Sequence, residues 1–463
     1  MITPDNNDTI AAIATSLGSA GIGIIRISGP ESIPIARRIF ISERFTSAAP
    51  IARHLYYGRI IDPNDCTMLD DVLLACMPGP HSYTGDDVVE INCHGGLTGL
   101  RAVLELVLAC GARTATPGEF TRRAFLNGRL DLAQAEAVID MIESQTEVGL
   151  KIAARQMSGA LSGQIEQLRR VLIDLRAHLE ACIDFPDDEI DIVSRDNVTD
   201  ILNQQCEQIS TLIADSEHAN CYRTGIDAVI VGKPNVGKSS IMNVLLGDER
   251  SIVTSIPGTT RDVIRETITI AGIPVRLHDT AGIHSSTDAV ETIGMDKSLD
   301  HLKTADITLL VFDGSRKLDS HDHLLLSKKQ PGNCIALINK SDLKQHINSG
   351  ELEGALEKDL IQSVSALAHT GFKELRDSIA NLVLGDDTPT VGDVLITSLR
   401  HKQALVAALS ALQRAHKAAH ANRAFELISA DVQEALHSLG EITGETTTGD
   451  ILESIFSRFC IGK

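Results

Sequence analysis

Eight residues of this chain have the types and the spacing of a loop that holds a phosphate group. Residues 232–239 read GKPNVGKS and fit the Walker A pattern G-x-x-x-x-G-K-[ST]. Glycines let the backbone wrap around an anion, so that consecutive N–H groups and the positive end of a following helix point at it. Lys238 would add positive charge for the outer phosphates, and the Ser239 hydroxyl suits Mg²⁺. The loop therefore predicts a nucleotide site.

Further motifs follow in the order that a single nucleotide site requires. Residues 279–282 read DTAG, where Asp279 could hold Mg²⁺ through water. Residues 339–342 read NKSD, and the carboxylate of Asp342 can accept both N–H donors of guanine, a pair that adenine lacks. Residues 363–366 read SVSA and match the loop that closes over guanine in this class of site. These motifs select GTP.

A switch segment lies between the first two motifs. Residues 257–262 read PGTTRD, and Thr260 can reach Mg²⁺ only when a γ-phosphate holds the loop closed. Ser239 and Thr260 are therefore the predicted Mg²⁺ ligands of a GTPase. The predicted GTP-contacting residues are Asn235, Val236, Gly237, Lys238, Ser239, Ser240, Thr254, Ser255, Ile256, Pro257, Gly258, Thr259, Thr260, Asp279, Thr280, Ala281, Gly282, Asn339, Lys340, Ser341, Asp342, Ser365, Ala366 and Leu367.

The catalytic device is less obvious from the motifs. Ile283 follows residues 279–282, where familiar small GTPases place a water-orienting Gln, and Ile cannot hydrogen-bond a water. The sequence does not identify an arginine finger either. The side-chain carbonyl of Asn235, together with Thr and backbone oxygens of the switch segment, could hold a monovalent cation near the leaving oxygen instead.

Length and hydrophobic patterning predict a multi-domain chain. Its 463 residues favour two to four domains. We expect an α+β N-terminal domain over residues 1–120, and an α-helical bundle domain formed by residues 121–220 and 386–463. A Ras-like α/β P-loop GTPase domain over residues 221–385 is inserted into the bundle, because apolar strands alternate there with amphipathic helices.

Composition argues against broad attraction to polyanions or membranes. The chain has 42 Lys and Arg against 62 Asp and Glu, a formal charge of −20. No apolar run reaches the roughly 18 residues of a membrane span, and the first residues lack a basic start followed by an apolar stretch. We therefore expect a cytoplasmic protein without membrane attachment.

One local stretch is basic. Between Asp393 and Glu426 there is no acidic residue. The positive charges in this stretch come from Arg400, Lys402, Arg414, Lys417 and Arg423. The stretch could be a solvated helix face or a docking face for a polyanion, and the sequence leaves both open.

From Asp8 to its last residue the chain resembles the tRNA-modification GTPase family MnmE (TrmE). The final residues 460–463 read CIGK and match the family's C-terminal signature, which is far rarer than a Walker A loop. Further matching stretches are residues 23–29, 92–96, 117–128 and 130–136.

The resemblance implies an activity, partners and cofactors. Family members bind a 5-formyltetrahydrofolate-type folate through the N-terminal domain, which also pairs two subunits into a homodimer. With an MnmG-like FAD flavoprotein they form a heterotetramer that adds a carboxymethylaminomethyl or aminomethyl group to carbon 5 of the wobble uridine of certain tRNAs. Their GTP hydrolysis is activated by K⁺ and by dimerisation of the GTPase domains.

The resemblance also implies roles for particular residues. It assigns Glu291 to positioning the attacking water, which makes Glu291, Asn235 and Lys238 the expected catalytic residues. The implied K⁺ ligands are Asn235, Thr254, the backbone of Ile256 and Thr259. The implied folate ligands are Arg26, Glu90, Arg129 and Lys463. Arg129 stands where the family commonly has Lys, which keeps the charge but changes the donor geometry.

Two other functions fit parts of the sequence. A regulatory or ribosome-assembly GTPase would keep the GTP motifs and use its N-terminal domain only to bind partners. A purely structural dimerisation scaffold would not need those motifs. The CIGK tail and the folate-type residues favour modification chemistry, although Cys460 could be reactive or could simply anchor the tail.

Overall fold

The computed structural model describes residues 8–45, 50–185, 194–216, 220–248, 265–279, 305–327, 333–354, 356–385 and 396–463. The chain forms two compact units. The first consists of Met1–Ile139, Ser162–Arg169 and Leu436–Lys463, and the second of Asp140–Leu161 and Arg170–Ala435. In the described parts of the chain, no helix is both long enough and apolar enough to cross a membrane.

The first unit contains a seven-stranded sheet in the order β3-β4-β5-β6-β2-β1-β7. Its strands pair antiparallel, except that β1 and β7 are parallel. These strands are β1 (Ile10–Ile13), β2 (Ile22–Ser28), β3 (Phe40–Ile41), β4 (Leu55–Ile61), β5 (Met68–Met77), β6 (Val88–His94) and β7 (Arg113–Thr114). The β-type apolar runs at residues 23–28, 72–76 and 88–92 predict strands from the sequence alone, and the structure confirms them within β2, β5 and β6.

One face of this sheet is covered by two helices, α1 (Ser32–Ile39) and α2 (Leu97–Ala109). Their buried residues, such as Ile35 and Val103, form one core with Ile25, Leu74 and Ile91 of the strands. Buried and exposed residues alternate along β4, as expected when only one face of a strand is packed on a core.

A series of helices follows the first sheet. They are α3 (Glu119–Leu126), α4 (Leu132–Glu143), α5 (Glu147–Met157), α6 (Ala160–Asp184), α7 (Arg195–Ser216) and α8 (Asn220–Thr224). In α6, apolar residues from Leu161 to Ile183 recur every three or four positions, which predicts one buried helix face. Ile183 is half-buried, and the buried members are Leu161, Ile165, Leu168, Leu172, Leu175 and Leu179. The spacing of three or four residues thus marked one face of a helix, as predicted.

The second unit contains a six-stranded sheet in the order β13-β12-β11-β8-β10-β9, parallel except for the β9–β10 hairpin. Its strands are β8 (Ile226–Gly232), β9 (Arg265–Ile270), β10 (Ile273–Asp279), β11 (Ile307–Asp313), β12 (Cys334–Asn339) and β13 (Ile361–Ser363). The associated helices are α9 (Lys238–Asp248), α10 (Ser320–Ser327), α11 (Ser349–Leu352) and α12 (Phe372–Leu384), with a short 3₁₀ turn at Lys358–Leu360.

The chain ends in three helices, α13 (Leu399–His420), α14 (Phe425–Thr443) and α15 (Gly449–Phe456). The spacing of the apolar residues Ile451, Leu452, Ile455, Phe456 and Phe459 predicts that all five lie on one side of a last helix. For Phe459 this prediction is wrong, because the helix ends at Phe456. Phe459 nevertheless packs in the same core cluster as Phe456 and Leu132. A turn after the helix returns the Phe459 ring to the core. The apolar spacing therefore extends past the residue at which the helix ends.

The fold class is as predicted: an α+β N-terminal part, helical segments and a P-loop α/β part in one multi-domain chain. The division at residues 120, 220 and 385 stays a prediction.

Candidate functional site

The GTP motifs lie at one edge of the second sheet. Parallel strands end on the same side, and their register places Gly232 beside Val311 and Asn339 beside Asp313. The backbone of Asp279 pairs with Ile230, just before the phosphate loop. Ligands of open α/β sheets bind beyond the carboxyl ends of such strands, which is where these motifs meet.

The phosphate loop has the backbone shape that its sequence requires. Asn235 and Gly237 have φ angles of 63° and 99°, in the left-handed region that Asn and Gly tolerate. A Cβ at Gly237 would lie 2.2 Å from Nδ2 of Asn339, so only glycine fits. Helix α9 begins at Lys238, whose Nζ donates to the main-chain oxygens of Gly232 and Lys233, both at 2.9 Å.

Asn339 connects the phosphate loop to the loop predicted to close over the base. Its side chain is buried and donates from Nδ2 to the main-chain oxygen of Val236 over 2.8 Å. Its Oδ1 accepts a hydrogen bond from the N–H of Ala366 over 3.2 Å. Asn339 therefore acts as a bridge between loops, a structural role that the motif alone did not reveal.

Asp342 has the surroundings expected of a base-recognition carboxylate. It is exposed, and the Ser365 hydroxyl donates to its Oδ1 over 2.5 Å. The same hydroxyl oxygen accepts from the N–H of Ala368 over 3.0 Å, which fixes its orientation. Leu367 beside it is 84% exposed, so an apolar side chain stands at the open edge where a base would lie.

Lys340 is held by an ion pair at the end of strand β11. Its Nζ lies 2.6 Å from Oδ2 of Asp313. Burial would raise the pKa of the Asp313 carboxyl, but hydrogen bonds from Lys340 and Ser315 outweigh it and lower that pKa. The N–H of Ser341 donates to the main-chain oxygen of Val364 over 3.1 Å, which joins the two recognition loops a second time.

Part of the predicted GTP site lies outside the described residues. For Asp279 the backbone is described but the side chain is not. The predicted residues outside the described ranges are Thr254, Ser255, Ile256, Pro257, Gly258, Thr259, Thr260, Thr280, Ala281, Gly282 and Glu291. The Mg²⁺ ligand Thr260, the K⁺ ligands other than Asn235 and the water-positioning Glu291 therefore stay predictions.

A second polar cluster lies in the first unit. Arg26 and Glu90 face each other across strands β2 and β6, and their side chains form an ion pair at 2.8 Å. Arg26 also donates to the main-chain oxygen of Gly462 over 3.1 Å, so the tail lies beside the pair. The pKa of Lys463 is lowered, mainly by burial and to a smaller extent by repulsion from Arg26. The negative charge of Glu90 opposes this shift. Three of the four predicted folate residues are thus close together.

Two aromatic rings at this cluster were missed by the sequence reasoning. The Arg26 guanidinium lies 5.4 Å from the ring centre of Tyr83 and 5.7 Å from that of Phe120. The Tyr83 hydroxyl is hydrogen-bonded to Thr121 over 2.8 Å. No spacing rule pointed to either ring, although Phe120 lies in the family-like stretch 117–128.

Arg129, the fourth predicted folate residue, is exposed and attached to the same loop as Tyr83. Its Nε donates to the main-chain oxygen of Ser82 over 3.1 Å. The contact anchors the base of the side chain beside this loop. The role of Arg129 toward folate stays a prediction.

The structure brings both acidic and basic neighbours to the basic stretch. Arg414 of α13 forms ion pairs with Asp431 and Glu434 of α14 at 2.9 and 2.6 Å. The main-chain oxygen of Arg423 accepts a hydrogen bond from Arg195 over 2.8 Å. The two acids offset the charge of Arg414, whereas Arg195 adds a positive charge near Arg423. The two interpretations of this stretch both stay open.

Comparison with known proteins matches nearly the whole chain. Residues 132–460 match the family model described as MnmE helical domain, and residues 9–129 match GTP-binding protein TrmE N-terminus. The tRNA modification GTPase MnmE of Alkaliphilus oremlandii (strain OhILAs) is 43% identical over 461 residues, covering 99% of each chain. That of Clostridioides difficile (strain 630) is 43% identical over 458 residues, again covering 99% of each chain.

Proposed function

The chain belongs to the MnmE family of tRNA modification GTPases, and we propose that it is a K⁺-activated GTPase that modifies carbon 5 of the wobble uridine of certain tRNAs. It is a GTP hydrolase that acts in tRNA modification. The observation that carries the proposal is 43% identity over 99% of the chain, because this includes the N-terminal unit and the tail as well as the GTP motifs.

GTP would bind along the edge where strands β8 and β12 end. The phosphate loop and Lys238 would hold the phosphates, and Asp342 would accept the guanine N–H donors with Ser365 fixing its carboxylate. The hydroxyls of Ser239 and Thr260 are hard oxygen donors of the kind that Mg²⁺ prefers, and the ion would neutralise charge on the β- and γ-phosphates.

K⁺ would supply the positive charge that an arginine finger provides in other GTPases, since the sequence identifies no such arginine. Asn235 is exposed in the phosphate loop and carries a carbonyl oxygen, the kind of ligand that suits this cation. Thr254, the backbone of Ile256 and Thr259 would complete the ligand set, while Glu291 would position the attacking water. A Glu291→Ala protein that hydrolysed GTP at the parent rate with K⁺ present would contradict the role of Glu291.

The Arg26–Glu90–Lys463 cluster supports binding of a 5-formyltetrahydrofolate-type folate. Cations suit the glutamyl carboxylates of such a molecule, and a carboxylate suits the N–H edge of its pterin ring. The half-buried ring of Tyr83 adds apolar surface at the same place, and the fully buried ring of Phe120 packs near the Arg26 guanidinium. When bound, the folate would supply the one-carbon unit, and Arg129 would contribute a charge where the family commonly has Lys.

The proposed partners follow from the family. The chain would pair as a homodimer and assemble with an MnmG-like FAD flavoprotein into a heterotetramer. GTP hydrolysis would open and close paired GTPase domains, and the helical segments would pass that motion to the tRNA site.

The decisive experiment is nucleoside analysis of tRNA from cells that lack this protein. Carbon-5 modified wobble uridines should disappear and should return on expression of the wild-type chain. Glu90→Gln should fail to restore them while hydrolysing GTP like wild type, since Glu90 is not in the GTPase unit. Unaltered wobble uridines in the deletion strain would refute the modification function and leave a regulatory GTPase.

A further inference from the structure

Lys233, the second residue of the phosphate loop, has acidic partners that its motif does not require. Position 233 is unspecified in the pattern G-x-x-x-x-G-K-[ST]. Its Nζ nevertheless lies 2.6 Å from Oδ2 of Asp319 and 2.7 Å from Oδ2 of Asp322. The Lys233 and Asp322 side chains are 30% and 6% exposed, so this ion pair is largely shielded from water.

The two carboxylates are fixed by the start of helix α10. Oδ1 of Asp319 accepts hydrogen bonds from the N–H groups of His321 and Asp322 at 2.9 and 3.3 Å. Oδ2 of Asp322 accepts in return from the N–H of Asp319 over 3.1 Å. This reciprocal arrangement resembles a capping box, with Asp in place of Glu at the third helical position. The acceptors of Lys233 are therefore held in place by the helix itself.

The positive charge of Lys233 compensates the negative charges of Asp319 and Asp322. Two carboxylate oxygens lie within 2.7 Å of one ammonium nitrogen, so removal of the lysine would leave two like charges close together. The hydrogen bond from Lys233 is the largest of the influences that hold the pKa of Asp319 at about 2. An uncompensated acidic pair here would also repel the phosphates of a nucleotide bound to the same loop.

Lys233 is linked directly to the lysine that meets the phosphates. Nζ of Lys238 donates to the main-chain oxygens of Gly232 and Lys233. Gly232 is packed against strand β11, where an added Cβ would lie 2.5 Å from the main-chain oxygen of Val311. The turn that receives Lys238 is thus held by β11 on one side and by the Lys233 side chain on the other.

We propose that Lys233 is a positioning residue for nucleotide binding, which clamps the phosphate loop to the N-terminus of α10 and cancels the charge of Asp319 and Asp322. The clamp keeps the phosphate loop in its binding conformation before the nucleotide arrives, so the loop loses less conformational entropy on binding. It also keeps the carbonyl groups that receive Lys238 in place.

The test measures dissociation of a fluorescent GDP analogue from the full-length protein, well below its unfolding temperature. Lys233→Met should raise the dissociation rate by about tenfold, because a charge-assisted contact of this kind corresponds to about one decade in affinity. Lys233→Arg keeps the charge and can donate to both carboxylates, so it should stay within about twofold of wild type. Asp319→Asn keeps a helix-capping oxygen but removes one charge, and should raise the rate by about threefold.

The double variant Lys233→Met with Asp319→Asn distinguishes the clamp from two separate effects. Since each single change breaks the same ion pair, the combined effect should be clearly smaller than the product of the two. A double variant whose effect equals that product would show that the two residues act separately and would overturn the proposal.

Arg276→Met provides a matched control in the same sheet. It breaks the Arg276–Asp227 ion pair, 2.9 Å long, at the opposite end of strand β8. It should lower the unfolding temperature and leave GDP dissociation within about twofold of wild type. If Lys233→Met behaves like this control, Lys233 is only structural and the proposal is wrong. If Lys233→Met does not fold, Asp319→Asn decides, and wild-type GDP dissociation in that variant would overturn the proposal.

Discussion

The buried side chain of Asn339 donates a hydrogen bond to the main-chain oxygen of Val236, 103 residues earlier in the chain. The same side chain accepts from the N–H of Ala366, so it joins the phosphate loop to the loop expected over the base. Gly237 leaves room for this contact, because any larger residue would collide with the Asn339 amide. The two halves of the nucleotide site are therefore coupled through one residue.

Replacing Asn339 by Ala should weaken both stability and nucleotide binding. The Val236 oxygen and the Ala366 N–H would lose their partner, and we expect the free energy of unfolding to fall by about 2 kcal/mol. GDP affinity should fall by about tenfold, because both loops lose their connection. Denaturant unfolding and GDP titration would measure the two effects. Asn348→Ala, at an exposed position of the same unit, is the control and should leave GDP affinity unchanged. Wild-type GDP affinity in Asn339→Ala would show that the bridge does not couple the loops.

Replacing Asp342 by Asn should change base specificity rather than stability. An amide cannot accept from both guanine N–H donors, and we expect GDP affinity to fall by about a hundredfold. Xanthine carries a carbonyl where guanine carries its amino group, so the new amide N–H₂ can donate to it and xanthosine diphosphate should bind better than GDP. Competition titrations with both nucleotides would measure the switch.

Ser365→Ala is the control for that switch. It removes the hydroxyl that orients Asp342 but leaves the carboxylate, so it should weaken GDP binding only a few-fold and gain no affinity for the xanthosine nucleotide. If Asp342→Asn kept its preference for GDP, this carboxylate would not read the base.

The sequence predicted the GTP motifs and their strands because the chemistry there is local. A phosphate loop after an apolar strand needs Gly at particular positions, and Gly237 meets that need. The ion pair between Lys233 and Asp322 was missed because those residues are 89 positions apart in the sequence. They meet only because strands β8 and β11, which precede them, pair in the folded sheet. The ring of Tyr83 beside Arg26 was missed for the same reason.

The loss of folding stability at low pH should depend on Glu119. Burial would raise the pKa of this carboxyl, but hydrogen bonds from Arg113 and from the N–H of Thr116 outweigh it and hold the pKa at about 2, below the ordinary 4.5. A lowered folded-state pKa stabilises the fold above pH 4.5, and this contribution is lost as the pH falls toward 2.

Glu119→Gln should therefore be less stable at neutral pH and less sensitive to acid. Because Arg113 and the buried Arg123 would lose a charged partner, we expect a loss of about 3 kcal/mol. Urea unfolding between neutral pH and pH 3 would measure it. Glu434→Gln removes an exposed pair with Arg414 and should change the free energy of unfolding much less than Glu119→Gln does. An unchanged pH slope in Glu119→Gln would exclude this carboxyl as the acid-sensitive group.

The proposed K⁺ requirement can be tested at Asn235, the one proposed ligand among the described residues. Replacing KCl by NaCl should slow GTP hydrolysis of the wild-type protein by about tenfold or more, because the proposed K⁺ supplies charge where the transition state develops it. Asn235 has a φ of 63°, so Gly is the informative substitution: it adopts the same backbone conformation without strain and removes the side chain that carries the proposed ligand oxygen. Asn235→Gly should bind GDP within about threefold of wild type and hydrolyse GTP equally slowly in both salts.

Asn235→Ala separates the loss of the oxygen from the shape of the loop. It lacks the same ligand but adds about 1 kcal/mol of backbone strain, so it should bind GDP more weakly than Asn235→Gly with the same indifference to K⁺. The rate of GTP hydrolysis and the affinity for GDP would be measured in KCl and in NaCl for the wild type, Asn235→Gly and Asn235→Ala. A wild-type rate that is equal in KCl and NaCl would refute the cation assignment, and an Asn235→Gly protein that still requires K⁺ would show that Asn235 is not its ligand.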